Sequence, residues 1–149
     1  MEGERRRFHE AVGRFNEERA MPRGVLLTPV TLVNIRDKRP TQYVIDENIE
    51  DSTAWIGLLQ DNWGPTERNF ENDYHLALCC LSDPGRPMLH VSLLRKLLPS
   101  GKPLDPGLPE PAGEFSSPEE FELCVTGQLS ALLEKILHAP ATAGLHATA

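Results

Sequence analysis

Thr53-Ala54-Trp55-Ile56-Gly57-Leu58-Leu59 decides the fold. The stretch is apolar at nearly every position, has no helical spacing, and is bounded by Asp51-Ser52 and Gln60-Asp61. A strand that buries one face alternates apolar and polar residues. A strand buried on both faces reads as a continuous apolar run, the pattern of a parallel sheet covered by helices on each side. The stretch is therefore expected to be a central strand with helices on both faces.

Immediately after it, Asp61-Asn62-Trp63-Gly64-Pro65 is rich in turn formers. Phe70, Tyr74, Ala77, Leu78 and Leu81 then recur at helical spacing, which predicts a helix over 69–81. Ser82-Asp83-Pro84-Gly85 closes it, and residues 87–94 read as the next strand. Residues 99–113 are rich in Pro and Gly and read as a surface connection. Ser117-Pro118-Glu119-Glu120 is a helix start, with Ser as N-cap, Pro in the first turn and Glu at the capping-box position. Phe121, Val125, Leu129, Leu132 and Ile136 form the apolar stripe of that helix.

Upstream, Phe8, Ala11, Val12 and Phe15 mark a helix over 2–20 that ends at Pro22 and Gly24. Residues 25–33 are β-rich and run into a loop, since Pro29 removes a ladder donor. Thr41 is placed to cap a short helix carrying Ile45 and Ile49. Strands alternating with helices imply a parallel sheet with right-handed crossovers. The expected organisation is one α/β domain over 1–138 and a flexible tail over 139–149.

Composition narrows the function. The net charge of −7 opposes nucleic acid phosphates. The run Arg5-Arg6-Arg7 lies among Glu2, Glu4 and Glu10 on the same helix and reads as a solvated face. No stretch approaches the roughly 20 apolar residues of a membrane helix, and the charged start has no apolar signal core. Cys79, Cys80 and Cys124 have no metal spacing and read as reduced, buried thiols. A cytoplasmic protein without nucleic acid or membrane partners is expected. The five histidines show no ligand spacing, and no phosphate-binding Gly motif or Ser-His-Asp order occurs.

Four features in order resemble the TIR-like domains of unknown function found in bacterial signalling and defence proteins, often ahead of a STAND-type NTPase. Asn16 with Glu18-Arg19 resembles the end of their first helix. Gln42, Ile45, Ile49 and Asp51 resemble their second helix and the start of their third strand. Trp63-Gly64 followed by Phe70-Glu71-Asn72-Asp73-Tyr74 and Ala77 resembles the Gly loop and acidic helix after that strand. Phe115-Ser116-Ser117-Pro118-Glu119-Glu120-Phe121 resembles the start of the last helix. The likeness covers residues 4–137 and implies a flavodoxin-like three-layer sandwich with a parallel sheet, here with the first strand absent.

In open α/β sheets the ligand crevice lies beyond the carboxyl ends of the strands. The 61–65 loop and the first turns of the 69–81 helix fall there. The resemblance implies that an acid on this helix acts on an N-glycosidic bond, as in catalytic TIR domains and nucleoside deoxyribosyltransferases. Asp73 is the closer match by spacing to Ala77, and Glu71 is the alternative. Acids in a first helical turn also complement the helix dipole without further role. Arg36 and Arg39, with Lys38, follow the 25–33 strand toward the same edge and suit a phosphate. Trp63 suits stacking on a base or nicotinamide ring, or closing the core under its loop, and Gly64 follows it.

The expected function is an interaction module with a nucleotide-binding crevice. The alternative is a hydrolase of NAD or a related nucleotide, with NAD as substrate or ligand rather than a resident cofactor. A STAND-type NTPase or a second copy is the expected protein partner. In the flavodoxin-like order the first strand lies between the second and third. Its absence leaves strands 25–33 and 53–59 facing an empty position, one strand spacing of about 4.8 Å from each. Three resolutions are expected: direct pairing, a strand from a partner, or a partly molten, poorly soluble chain.

Overall fold

The apolar run at 53–59 forms a strand. In the computed structural model, which describes residues 2–30, 42–63, 70–99, 101, 103–139 and 147–148, β2 (Ala54–Leu59) pairs in parallel with β3 (His90–Lys96). The register runs from Ala54 opposite His90 to Leu59 opposite Arg95. A third strand, β4 (Gly113–Phe115), pairs in parallel with the end of β3, Leu94 opposite Gly113. It lies at the edge of the Pro- and Gly-rich connection, where no apolar pattern announces it. Gly113 fits closely there, because a Cβ would lie 3.0 Å from the Cys124 sulfur, which would have to give by a few tenths of an ångström.

The helices are α1 (Glu2–Phe15), α2 (Gln42–Glu50), α3 (Phe70–Ser82) and α4 (Pro118–Leu137). One face of the sheet carries α1 and α4, where Ala54 and Leu94 pack with Val12, Phe121, Leu129 and Ile136. The opposite face carries α2 and α3, where Trp55 and Val91 pack against Ile45, Ile49, Ala77 and Cys80. Successive residues of one strand thus serve opposite layers, which is why β2 and β3 read as apolar throughout. This is a mixed α/β protein with a three-stranded parallel sheet between helices, an arrangement compatible with a flavodoxin-like fold.

Three expectations need correction. The strand order is β2-β3-β4, so β3 and not β2 is the middle strand of the described sheet. Accordingly His90, Ser92, Leu93 and Leu94 of β3 are buried, while Trp55, Ile56, Gly57 and Leu58 of β2 remain half-buried. The stripe of α3 is also rotated from the expected one. Its buried residues are Asp73, Ala77 and Cys80, and Leu81 is 41% exposed. A polar residue enters the stripe because a partner side chain receives it, as described below. Among the cysteines only Cys80 is buried; Cys124 is half-buried and Cys79 exposed.

α4 begins at Pro118, as its capping sequence requires. The Glu120 N–H donates to Ser117 Oγ at 3.2 Å. The reciprocal bond is displaced by one residue, with Glu120 Oε2 accepting from the N–H and hydroxyl of Ser116 at 2.8 and 3.1 Å. α1 does not run unbroken to Ala20. It widens into a π turn at Asn16–Ala20 and tightens into a 3-10 turn at Met21–Arg23. Gly24, at φ 79°, ends it in the left-handed conformation that glycine adopts without strain.

The widened turn carries Asn16, buried at 8% exposure. Its amide pairs with both backbone groups of Leu27. Nδ2 donates to the Leu27 carbonyl at 2.8 Å, and Oδ1 accepts from the Leu27 N–H at 2.9 Å. The Asn side chain therefore stands in for a neighbouring strand along one edge of β1 (Leu27–Thr28). Residues 31–33 of the longer strand expected from sequence lie outside the described residues.

The position expected to be empty is partly filled by the chain itself. β5 (Ala147–Thr148) pairs in parallel with β1, Leu27 opposite Ala147 and Thr28 opposite Thr148. It also lies against β2, although no ladder joins the two strands. None of the three expected resolutions describes this. The segment read from composition as a free tail contributes two paired residues between β1 and β2.

Candidate functional site

α2 follows β1 and α3 follows β2, so both helices start at the carboxyl edge of the sheet. Each start presents backbone N–H groups with no partner inside its own helix. Gln42 opens α2, and Asp73 lies in the first turns of α3. Gln42 Nε2 donates to Asp73 Oδ1 at 2.9 Å and to Asp46 Oδ1 at 2.7 Å. One neutral amide thus gathers two carboxylates between two helix starts. Asp73 is only 5% exposed. Burial of a carboxylate is costly unless it is hydrogen-bonded, and the Gln42 amide and the dipole of α3 offset that cost.

Beside Asp73, Tyr74 stands between two tryptophans. Its ring centroid is 5.4 Å from Trp63 at 38° and 6.0 Å from Trp55 at 47°. The three rings form a tilted series running from β2 to the loop beyond its carboxyl end. Gly57 makes this possible. A Cβ there would lie 2.5 Å from the Trp55 ring and 2.8 Å from a Leu93 methyl. The indole lies across the strand in the space that glycine leaves, the close approach that a strand glycine often marks.

Of the two acids expected to serve chemistry, Asp73 is buried and held by Gln42. Glu71 points to solvent, with its side chain 60% exposed and 3.8 Å from His75 Nε2. The structure does not bring the two acids to one point. Trp63 stands at the predicted edge, half-buried against Tyr74. Gly64, Arg36, Lys38 and Arg39 lie outside the described residues. Asp46, Trp55 and Tyr74 were not singled out for chemistry from sequence. Gly57 inside an apolar strand is the one sequence signal from which the ring above it could be read.

A second polar cluster joins β3 to α4. His90 Nε2 is 2.7 Å from Gln128 Oε1, and His90 Nδ1 is 2.8 Å from Lys135 Nζ. An ammonium only donates, so Nδ1 is the acceptor and Nε2–H the donor. Burial, and secondarily the Lys135 charge, hold the His90 pKa below its ordinary value against the opposing bond to Gln128. Burial likewise raises the thiols of Cys80 and Cys124, which disfavours the thiolate. Among the described residues no group of three His, Cys, Asp or Glu side chains is arranged to hold a metal ion. No helix among them is long and apolar enough to cross a membrane.

No protein-family model matches the chain, and no match is found among curated proteins or solved structures.

Proposed function

We propose that the chain is a TIR-like signalling domain of the interaction type that holds a nucleoside-type ligand at the carboxyl edge of β2. The observation that supports this reading is the Trp63–Tyr74 pair beside the Gln42–Asp73–Asp46 cluster. A flat base or nicotinamide ring stacks on the aromatic pair, where such contacts contribute about 1–3 kcal/mol per base. The half-buried Asp46 accepts from ribose hydroxyls, the role an acidic residue plays in dinucleotide-binding folds, while buried Asp73 fixes the Gln42 amide. Arg36 and Arg39 are the phosphate contacts in this reading, and Gly64, next to Trp63 in the sequence, is assigned to the same ligand site. The setting is cytoplasmic bacterial signalling or defence, with a STAND-type NTPase or a second copy of the chain as partner.

Binding is favoured over hydrolysis by the burial of Asp73 and the outward direction of Glu71. A carboxylate that attacks C1′ or steadies an oxocarbenium ion must face the sugar, and a misplacement of about 1 Å costs on the order of 10²-fold. The alternative, an NAD or nucleotide N-glycosidic hydrolase using Asp73 or Glu71, keeps its support in the position of both acids on the first turns of α3.

One titration tests both readings. Tryptophan fluorescence and melting temperature are followed as NAD and adenine nucleotides rise to millimolar concentration, while released nicotinamide is measured. The expected result is saturable quenching, lost in Trp63→Ala, without nicotinamide release. Release abolished by the double change Glu71→Ala and Asp73→Ala establishes the hydrolase instead. Unchanged fluorescence and melting temperature leave a protein-interaction role alone.

A further inference from the structure

We infer that the C-terminal segment ending in β5 is an exchangeable strand, and that the slot between β1 and β2 also accepts this segment from a second copy of the chain. A reciprocal strand-exchanged dimer results. The inference gives physical form to the self-association in the functional reading above. It stands or fails separately from ligand binding, which fluorescence reports.

Three observations carry it. The slot is shown to take a parallel strand of this sequence, since Ala147 and Thr148 pair with Leu27 and Thr28 and lie against β2. The pairing is short. β2 has six residues in register with β3, whereas among the described residues β5 pairs over two and no ladder joins it to β2. Over the described residues the tail is therefore held by little, and no ladder among them occupies the β2 edge of the slot. Finally, the slot has one edge to offer on the β1 side. Asn16 occupies both backbone groups of Leu27, so the alternation of a strand turns those of Leu26 and Thr28 toward β5.

The occupant is a second copy because every copy carries the same segment in the same register. Residues 138–146 connect α4 to β5 and span up to about 30 Å when extended, enough for the tail to enter its own slot or a neighbour's. The exchanged dimer makes the same β1–β5 contacts as the closed monomer. The balance is then set by concentration against the effective concentration of the tether, which is roughly millimolar for short flexible linkers.

Two chains that each carry one added cysteine separate the forms. Both carry Cys79→Ser, since Cys79 is an exposed thiol. One adds Thr28→Cys and the other Thr148→Cys, at positions paired in register. Neither chain closes a 28–148 disulfide within itself, so a bond joining the two requires exchange. The chains are refolded together at about 1 mM, near the expected effective concentration, and again at a hundredfold dilution. They are then oxidised and read by non-reducing electrophoresis and peptide mapping.

The expected result is a mixed disulfide at high concentration that falls steeply on dilution. It should exceed the dimer formed by either chain alone and be lost when the tail chain also carries Ala147→Pro, which removes a ladder N–H. A chain carrying both cysteines is oxidised beside them. If it closes on itself while the mixture gives no mixed disulfide at either concentration, the tail serves only its own slot and exchange is refuted. If neither forms a 28–148 bond, the pairing itself is overturned and the slot belongs to another strand.

Discussion

His90 has one workable protonation state in its setting. Lys135 donates to Nδ1 and Gln128 accepts from Nε2–H, so a proton added at Nδ1 would face an ammonium. The folded pKa is lowered by burial first, with Lys135 acting in the same direction. Lys135 is the charged neighbour that contributes to this lowering. The unfolded chain titrates near its ordinary value of about 6.5. Between that value and the lower folded one, the unfolded state holds more protons, so stability falls as pH falls through this window. Above the window the His90 contribution is constant. Urea melts from pH 7.5 downward should show this loss, and His90→Gln should make the profile shallower. An equal slope in both proteins would mean that His90 is not the titrating group. Gly57 is the other residue whose role is local. Gly57→Ala places a methyl 2.5 Å from the Trp55 ring, and overpacking of this kind costs about 1–3 kcal/mol. Denaturant melts should show that loss together with a shifted tryptophan emission, because the ring series must move.

Elements were legible in the sequence where their signals are local. The cap of α4 is one: Ser117, Pro118 and Glu120 lie within a single turn and fix its first residue. Ser117→Ala should lower stability by about 1 kcal/mol in a denaturant melt, and no loss would show that the Ser116–Glu120 bonds suffice alone. The apolar runs of β2 and β3 were readable for the same reason. β4 and β5 were not, because strands of three and two residues carry no pattern and exist only by pairing with a neighbouring edge. The burial of Asp73 was equally hidden. Its partner Gln42 is 31 positions away, and nothing around Asp73 announces it. Asn16 is an intermediate case. Its place at the end of the first helix is plain from sequence, yet its bond to a strand edge depends on the π turn that aims it. Asn16→Leu should orphan the Leu27 N–H and C=O at roughly 1–3 kcal/mol each, which makes it among the most damaging single changes open to test by thermal melting.

At the scale of the whole molecule, the sheet is held unequally. β3 has a paired strand on each side and both helical layers around it, whereas among the described residues β1 is joined to the rest through Asn16, its own packing and the two residues of β5. Leu27 and Val25 belong to the same buried cluster as α1 and α4, so β1 is anchored by apolar contact even where its ladder is short. A chain ending at Ala139 should therefore still fold, but less stably. Each ladder bond contributes about 0.5–1.5 kcal/mol net, and leaving its buried partner unpaired costs roughly 1–3 kcal/mol. Small domains have only about 5–15 kcal/mol in total, so this loss is a visible fraction. It should fall where the missing pairing was. Amide exchange should quicken at Leu26, Thr28 and along β2, while the centre of β3 slows or quickens only with global stability. The shortened chain should also associate more readily, since an open strand edge between β1 and β2 invites pairing with other chains. Denaturant midpoint, light scattering and residue-resolved exchange check the three parts. Identical midpoints, with unchanged exchange at Leu26 and Thr28, would show that β5 contributes nothing to the fold and that β1 is held by Asn16 and the core alone.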